Sequence, residues 1–499
     1  MSKLLVIALL PFFAAGAAFS QATLPDTLAG YVKGKTAPNH TYVVNDSLYV
    51  NVGDTLTISP GDTLLMKNNP STGAACWIDV LGTFICEGTS TNRIVITTAF
   101  VDSAKHPGMW GGIIGDSCKY ISVRFAIITW AGGNDASGHA YRTFDISSDA
   151  ANTTNTVFTD NVVVGTVDDC IGLHGGNASV LRNTLKWVGA PDGDNINVKS
   201  GTIGEIAYNV IWGAGGNGIK INASTTVARI TNVCIHNNTI AAGGWRRIDE
   251  LGYGILVDAS ARAQIYNNII GDMYGGLEIT TIADTLRTVH DNNLFFYSVD
   301  SLSGTARYYP SDGVGRPAPD DIFDVKASNL FVSYQPFFTN DWNTLDGSNN
   351  YHLLGSSPAI GHGFTPPAPT SSNHWWNPYF VNGTDTLTLP GDANIGAYGL
   401  LTAIENQNSN VPSSFILDQN YPNPFNPSTQ ISYSIPRNVY VSLKVYNVLG
   451  QEVSTLFAGE QTVGQHSATF DGSNFASGVY FYRLEAGANS ITKKMILVK

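Results

Sequence analysis

Charged residues recur beside short aliphatic runs in the middle of this chain, at spacings that could bring them together on one surface. The candidate catalytic residues are Asp168, Asp169, His174, Lys199 and Lys220, and the candidate metal ligands are Asp192 and Asp194. Carboxylates beside cations suit chemistry on a sugar acid. In an elimination, a basic side chain takes the proton next to the uronate carboxyl while a cation neutralises that carboxyl.

The lysines and the Asp-x-Asp pair could divide this work between them. Lys199 or Lys220 could supply the base or the neutralising cation, and Asp192 and Asp194 could hold Ca²⁺, which prefers carboxylate oxygens. The alternative is structural, because the outward positions of a β-rich fold are ordinarily polar and a loop Asp-x-Asp is ordinarily solvated. The sequence leaves both interpretations open.

A second group of residues could contact the sugar itself. The candidate substrate-binding residues are Trp245, Arg246, Arg247, Asp258 and Glu278. The first three stand together in an insertion, where an aromatic ring and two guanidinium groups could recognise a carboxylate beside a polar groove. Asp258 and Glu278 belong to later aliphatic runs with the same spacing.

These charged residues lie within a repeat that indicates the fold. An Asn is followed two residues later by an aliphatic residue or Phe at intervals of 22 to 30 residues, at Asn161, Asn183, Asn209, Asn238, Asn268 and Asn293. Between these positions recur aliphatic-x-aliphatic runs such as Ile171-Gly172-Leu173. Two strand signals per repeat, without a stretch of helical period between them, predict a β-solenoid.

The six repeated asparagines, which we call the Asn column, predict how the coils turn. A sharp corner between strands tends to adopt the left-handed backbone conformation, which Asn tolerates. Stacked Asn side chains can then bond from coil to coil and satisfy buried polar groups. Alternation in the aliphatic runs predicts one outward column through Gly172, Asn197 and Lys220, and another through His174 and Lys199.

Several segments resemble secreted right-handed parallel β-helix proteins of the pectin-lyase type. Their positions are 56–62, 80–84, 94–97 and 110–113 for the first coils and 357–363 and 394–399 for the last. The resemblance implies a parallel β-helix over residues 21–400. This fold hosts lyases, hydrolases, epimerases and adhesins, so the resemblance does not choose among them.

The segment Asp168-Asp169-Cys170-Ile171 also resembles the paired-Asp segment of the polygalacturonases, which hydrolyse with inversion. That family carries Gly-His-Gly and Arg-Ile-Lys one and two coils later. Here Asp192-Gly193-Asp194 and Gly218-Ile219-Lys220 stand in those places. The Asp pair and the Lys match the family pattern, and its His and Arg are missing.

Residues 415–499 carry the most specific motifs in the chain. These are Asn-Tyr-Pro-Asn-Pro-Phe-Asn-Pro at 420–427, Val-Tyr-Asn-Val-Leu-Gly-Gln-Glu-Val at 445–453, and Gly-Val-Tyr-Phe-Tyr-Arg-Leu at 478–484. The segment resembles the type A C-terminal sorting domain of the type IX secretion system of Bacteroidetes and related bacteria. The resemblance implies recognition by that secretion machinery. Period-two alternation at 431–435 and 441–445 predicts a small β-sandwich.

The N-terminus and the composition agree with export. Lys3, the apolar stretch 4–18 and a small-x-small site before Gln21 predict a signal peptide over residues 1–20. No other stretch is long and apolar enough to span a membrane, so we expect a mature protein without a transmembrane segment. A net charge of −12 argues against nucleic acid as a partner. The five cysteines leave two alternatives, a Cys76–Cys86 disulfide or buried free thiols.

The sequence therefore predicts an all-β protein with a right-handed parallel β-helix solenoid at 21–400, a polar linker at 401–414 and a C-terminal β-sandwich at 415–499. We expect it to be secreted or held on the outer-membrane surface of a Gram-negative bacterium. Two function classes stay open. The first is a protein that binds or cleaves extracellular acidic polysaccharide, as a lyase or hydrolase, with Ca²⁺ as the candidate cofactor. The second is a noncatalytic adhesin or structural surface protein.

Overall fold

The structure, a computed structural model, divides by strand pairing into a parallel solenoid and an antiparallel C-terminal unit. It describes residues 24–67, 75–100, 106–134, 142–149, 151–188, 193–223, 229–243, 252–298, 318–334, 350–364, 394–397, 416–417, 420, 423, 425–435, 439–461, 464–486 and 489–498. The predicted all-β class is confirmed. The predicted signal peptide 1–20 and linker 401–414 lie outside the described residues, so these boundaries stay predictions.

Each complete coil of the solenoid passes through three parallel strands, one in each of three sheets. Sheet 1 contains Gly34–Lys35, Thr55–Ile58, Thr83–Glu87, Tyr120–Arg124, Asn155–Thr159, Asn177–Leu181, Ile203–Ala207, Asn232–His236, Arg262–Tyr266 and Val289–Asp291. Sheet 2 contains Thr27–Tyr31, Thr41–Val50, Thr63–Met66, Ile94–Thr98, Ala126–Thr129, Val162–Thr166, Thr184–Val188, Val210–Trp212, Thr239–Ala241, Ile269–Gly271, Leu294–Tyr297 and Ile322–Lys326. Sheet 3 shares the first two of these strands and continues through Ile78–Val80, Ile113–Asp116, Phe144–Ser147, Ile171–His174, Ile196–Lys199, Ile219–Ile221, Tyr253–Val257 and Gly275–Ile279.

The interior is built by stacking like residues in register. In sheet 3, Ile171, Ile196, Ile219 and Ile255 are partners in successive coils, and all four are fully buried. Branched aliphatic side chains suit this pleated surface. A single coil could not bury its apolar face alone, so the stability of each coil depends on its neighbours.

The Asn column forms a continuous hydrogen-bonded ladder at the corner between sheets 1 and 2. Asn209 shows the pattern: its Oδ1 accepts from the backbone N–H of Asn183 at 2.9 Å and from Asn183 Nδ2 at 3.0 Å. Its Nδ2 donates to Asn238 Oδ1 at 2.9 Å and to the Val180 carbonyl at 2.9 Å. All six asparagines are at most 1% exposed. The predicted ladder is confirmed.

The left-handed residue at this corner is the residue before each Asn, and the expectation that the column itself adopts this conformation is wrong. The residues with positive φ are Asp160, Arg182, Tyr208, Asn237, Asn267 and Asn292. The stack imposes this φ even on a residue as bulky as Tyr208. The Asn identity is therefore explained by its amide, which bonds along the stack, and not by backbone tolerance.

The described parts of the segments predicted as last coils return across earlier coils instead of extending the sheets. The backbone N–H of Gly396 donates to the Asn267 carbonyl at 2.7 Å, and Asn237 Nδ2 donates to the Asn394 carbonyl at 2.9 Å. Next to them, the short 3₁₀ helix Ala327–Asn329 leads into an antiparallel pair, Phe331–Ser333 with Asn350–Leu353. Apolar residues of this part pack on the outside of sheet 2, where they bury Trp212 and Phe296.

The C-terminal unit has two antiparallel sheets that share one apolar core, as a β-sandwich does. One sheet contains Ile416–Leu417, Ser428–Ile435 and Gly464–Asp471, and the other contains Glu452–Gln461, Val439–Tyr446, Gly478–Ala486 and Asn489–Leu497. Ile431, Leu443 and Tyr482 are fully buried between them. The predicted alternation is confirmed.

Candidate functional site

The outward face of sheet 3 brings together most of the predicted catalytic residues. Strand register places Asp145, Gly172, Asn197 and Lys220 in one column across four coils. His174 and Lys199 are partners in the second column. The two predicted columns are confirmed as positions, and the first column extends to earlier coils through Asp145 and Ile114.

The residue two positions before each strand of sheet 3 forms a further column at the corner. Its members are Arg142, Asp169, Asp194 and Asn217. The backbone N–H of Asp194 donates to Asp169 Oδ1 at 2.8 Å, and the backbone N–H of Asn217 donates to Asp194 Oδ1 at 2.7 Å. This corner column is therefore a ladder like the Asn column, with charged residues in three of its four places.

Arg142 links this corner to the outward face, and sequence reasoning missed it. Its Nε donates to Asp169 Oδ2 at 2.8 Å, and its Nη1 donates to Asp145 Oδ2 at 2.9 Å. His174 Nε2 lies 3.1 Å from Asp145 Oδ1, so Asp145 bridges the arginine and the histidine. The sequence does contain a signal for Arg142. This arginine lies two residues before the first residue of its strand, Phe144, as Asp169 and Asp194 do before theirs.

Gly172 makes room for this arrangement. A Cβ atom at Gly172 would collide with the Arg142 side chain and would lie 2.9 Å from Asp145 Oδ1. The Arg142 guanidinium group can cross the outward face only because the neighbouring coil has no side chain at position 172. We call Arg142, Asp145, Asp169, His174, Asp194 and Asn197 the sheet 3 cluster.

Electrostatics separate the carboxylates of the sheet 3 cluster. Burial and the neighbouring Asp169 together raise the pKa of Asp194 to about 7, against the opposing effects of Lys220 and of the hydrogen bonds from Asn217. Burial also acts to raise the pKa of Asp145, but the His174 bond and the Arg142 charge outweigh it and hold that pKa below its usual value. With this pKa, Asp194 takes up a proton near neutral pH.

The buried acids already have protein partners. Asp169 accepts from Arg142 and from the Asp194 backbone, and its Oδ2 also accepts from Asn197 Nδ2 at 2.9 Å. Asp194 Oδ1 accepts both donors of Asn217, the backbone N–H and, at 2.8 Å, Nδ2. Asp169 and Asp194 are 4% and 2% exposed. These oxygens hold the corner together, so neither acid is positioned to reach a bound sugar directly.

The two lysines differ from the acids in this respect. Lys199 and Lys220 are half-buried, and the ammonium group of neither makes a hydrogen bond or ion pair with any residue that the structure describes. Burial lowers the pKa of Lys199, and the Arg142 charge lowers it further, against the opposing effect of Asp169. We call these two residues the lysine pair, and they are the cations that this face offers to a ligand.

The remaining predicted site residues fall into two groups. Asp258 accepts from Thr280 Oγ1 at 2.7 Å, Glu278 is the strand partner of Leu256, and Asp168 lies half-buried beside Asp169. Asp192, Trp245, Arg246 and Arg247 lie outside the described residues. Across the ranges that the structure describes, no three His, Cys, Asp or Glu side chains are grouped closely enough to hold a metal ion.

Two further features, a cleft and the cysteines, are not part of the sheet 3 cluster. An open cleft of about 570 Å³ at the end of the solenoid is lined by Tyr297, Asp324, Lys326 and neighbouring residues. All five cysteines are buried free thiols, which decides between the two alternatives left by the sequence. Burial raises the pKa of Cys76 and Cys118 to about 12, so these thiols are unreactive at neutral pH.

Comparison with known proteins identifies the C-terminal unit. Residues 419–499 match the family model described as a secretion system C-terminal sorting domain. The chain gives no significant match among curated proteins and none among solved structures. No helix in the described ranges has both the length and the apolar character needed to cross a bilayer. The chain therefore carries a type IX secretion sorting domain, which interacts with the type IX machinery and directs export to the medium or the cell surface, behind a parallel β-solenoid.

Proposed function

We propose that the solenoid binds an acidic polysaccharide along the outward face of sheet 3. The observation that carries this proposal is the lysine pair. Half-buried ammonium groups that form no ion pair with any described residue are costly, and an arriving carboxylate would both neutralise them and accept their hydrogen bonds. Export supplies the setting, because the sorting domain sends this face outside the cell.

The geometry suits a repeating polyanion. Lys199 and Lys220 come from adjacent coils and from neighbouring outward columns. Coils are spaced about 4.8 Å apart and alternate residues of a strand about 6.6 Å apart, so the two Cα atoms are separated by roughly 8 Å along a diagonal. A polymer with a carboxylate on each sugar can present a carboxylate to each ammonium group at once.

The neighbouring acids do not cancel this attraction. Arg142 is bonded to both Asp145 and Asp169, and Asp194 is partly protonated near neutral pH. The local field at the lysine pair is thus more positive than the net charge of −12 would suggest. Local complementarity matters here more than the overall charge, because salt screens distant charges.

Titration of the full chain with polygalacturonate, and with dextran as a neutral polymer, tests the proposal. The variant Lys199→Ala with Lys220→Ala should bind polygalacturonate about tenfold more weakly or worse, a loss of roughly 1.4 kcal/mol. The matched control is Lys35→Ala with Lys67→Ala, which removes the same charge elsewhere on the solenoid and should change binding less than about twofold. Equal binding by the parent and the lysine-pair variant would overturn the proposal.

A second candidate is β-elimination, and the lowered pKa of Lys199 favours it. Lys199 as the free amine would take the proton next to the uronate carboxyl while Lys220 neutralises that carboxyl. The new carbon–carbon double bond forms as the bond to the glycosidic oxygen breaks, and that oxygen leaves with a proton from water. Ultraviolet absorbance of the unsaturated product measures this. Binding without such absorbance would exclude the elimination.

A further inference from the structure

An apolar pair stands at the tip of one hairpin in the sorting domain. The hairpin joins Val439–Tyr446 to Glu452–Gln461, and its tip carries Val448 and Leu449. These side chains are 66% and 79% exposed, and they are the only adjacent pair of large exposed apolar residues in the described part of the chain. Neither belongs to the apolar core of the sandwich.

The backbone around this tip is held tightly. The N–H of Gly450 donates to the Asn447 carbonyl at 3.0 Å, and Gly450 has a φ of 77°. This is a tight turn followed by a left-handed residue, an arrangement that favours Asn at its first place and Gly at its last. Asn447 Oδ1 accepts from the N–H groups of Leu449 and Gln451, both at 3.0 Å.

The turn thus explains Asn447 and Gly450 but not the two residues between them. The central places of such a turn accept most residues, and polar ones leave no apolar surface in water. The surroundings are polar as well, because Lys444 and Glu452 form an ion pair at 2.8 Å beside the turn. Folding of the sandwich gives no reason for Val and Leu at these places.

We infer that Val448 and Leu449 form a contact surface for the type IX secretion machinery. The sorting domain interacts with that machinery, so the machinery is the partner for which an unexplained surface on this domain is available. An apolar centre surrounded by a polar rim is the usual anatomy of a protein interface. A tip already fixed by its own hydrogen bonds loses little conformational freedom on binding.

Export of the full chain from a host with the type IX machinery tests this inference. The variant Val448→Ser with Leu449→Ser should lower the exported fraction about fivefold or more, as loss of an interface anchor would. The matched control is Leu286→Ser, which removes a 92% exposed leucine from the solenoid and should be exported like the parent. Thermal unfolding of the purified chain should be unchanged in both variants.

Three results would overturn the inference. The first is normal export of the Ser pair variant. The second is a parent that self-associates through the tip, shown by sedimentation, with the variant monomeric and normally exported. The third result concerns a replacement variant, Val448→Ala with Leu449→Ala, which is used if the Ser pair variant unfolds. Normal export of this folded Ala pair variant would contradict the proposed contact with the machinery. These outcomes are independent of polysaccharide binding.

Discussion

Replacing Asn209 with Ala should destabilise the solenoid strongly, because Asn209 is a middle member of a buried ladder. The change removes four hydrogen bonds, two accepted from Asn183 and two donated to Asn238 and Val180. Asn183 Nδ2 keeps its bond to the Phe158 carbonyl, and Asn238 Oδ1 keeps the backbone N–H of residue 209. The Asn183 backbone N–H loses its side-chain acceptor, which costs about 1–3 kcal/mol when no water replaces it.

The other broken bonds add to this loss. Each of these three bonds contributes about 0.5–1.5 kcal/mol net, so the free energy of unfolding should fall by about 2.5–7.5 kcal/mol when the contributions are added. The assay is chemical denaturation followed by circular dichroism. Asn155→Ala is the matched control, because Asn155 is an exposed asparagine of the solenoid in sheet 1, outside the Asn column, and it should change stability by less than about 0.5 kcal/mol. Equal and small effects of both changes would refute the buried ladder.

Three further predictions concern charge and domain structure. Asp194→Asn should stabilise the chain at pH 8, because the Asp194 carboxyl has a pKa of about 7 in the folded chain and 3.8 in the unfolded chain. Ionising the folded carboxyl therefore costs stability at pH 8, with an upper bound of roughly 4 kcal/mol, and the gain from Asn should vanish as the pH falls from about 7 to 4. Melting curves at several pH values check this, and a gain that does not depend on pH would contradict it. Arg142→Ala should lower the free energy of unfolding by about 2–4 kcal/mol, because Asp145 and Asp169 lose their counter-charge. In the same denaturation assay, Arg142→Lys should recover only part of the lost stability. Full stability of Arg142→Ala would show that these ion pairs do not stabilise the fold. Limited proteolysis should cleave within 401–414 and leave a solenoid that still melts cooperatively, and loss of that melting would contradict independent domains.

The fold was predictable because its signal is repeated. Asn-x-aliphatic and aliphatic-x-aliphatic recur through six coils, so each coil confirms the interpretation of the others. Register then follows from the pattern: the predicted outward positions of Asn197, Lys199 and Lys220 are those observed. A solenoid contacts mainly its own neighbours in sequence, and for that reason local patterns carry most of its structure.

Corner geometry was less predictable. The left-handed residue precedes the Asn and is Arg182 in one coil and Tyr208 in another, so its identity carries no signal. The intrinsic preference for the left-handed conformation favours Asn, but the hydrogen bonds between stacked coils are enough to hold other residues in that conformation. The return of residues 394–397 across earlier coils was also hidden, because it depends on contacts between residues far apart in sequence, such as Asn237 with Asn394.

The position of the candidate site was predictable from the sequence, but the roles of its residues were not. Asp169 and Asp194 were expected to act on a ligand, but their oxygens bond the next coil and Arg142. Spacing alone does not show which side of a corner a carboxylate faces. Arg142 was missed because its coil has no second charged residue at the corner, and its reach depends on the missing side chain of Gly172.

A crystal structure of the full chain with a bound galacturonate oligomer tests acidic-polysaccharide binding most directly. We predict that the oligomer lies along the outward face of sheet 3, with its carboxylates within hydrogen-bond distance of Lys199 Nζ and Lys220 Nζ. An oligomer bound elsewhere, such as in the cleft lined by Tyr297 and Lys326, with the lysine pair untouched, would contradict the proposed binding face.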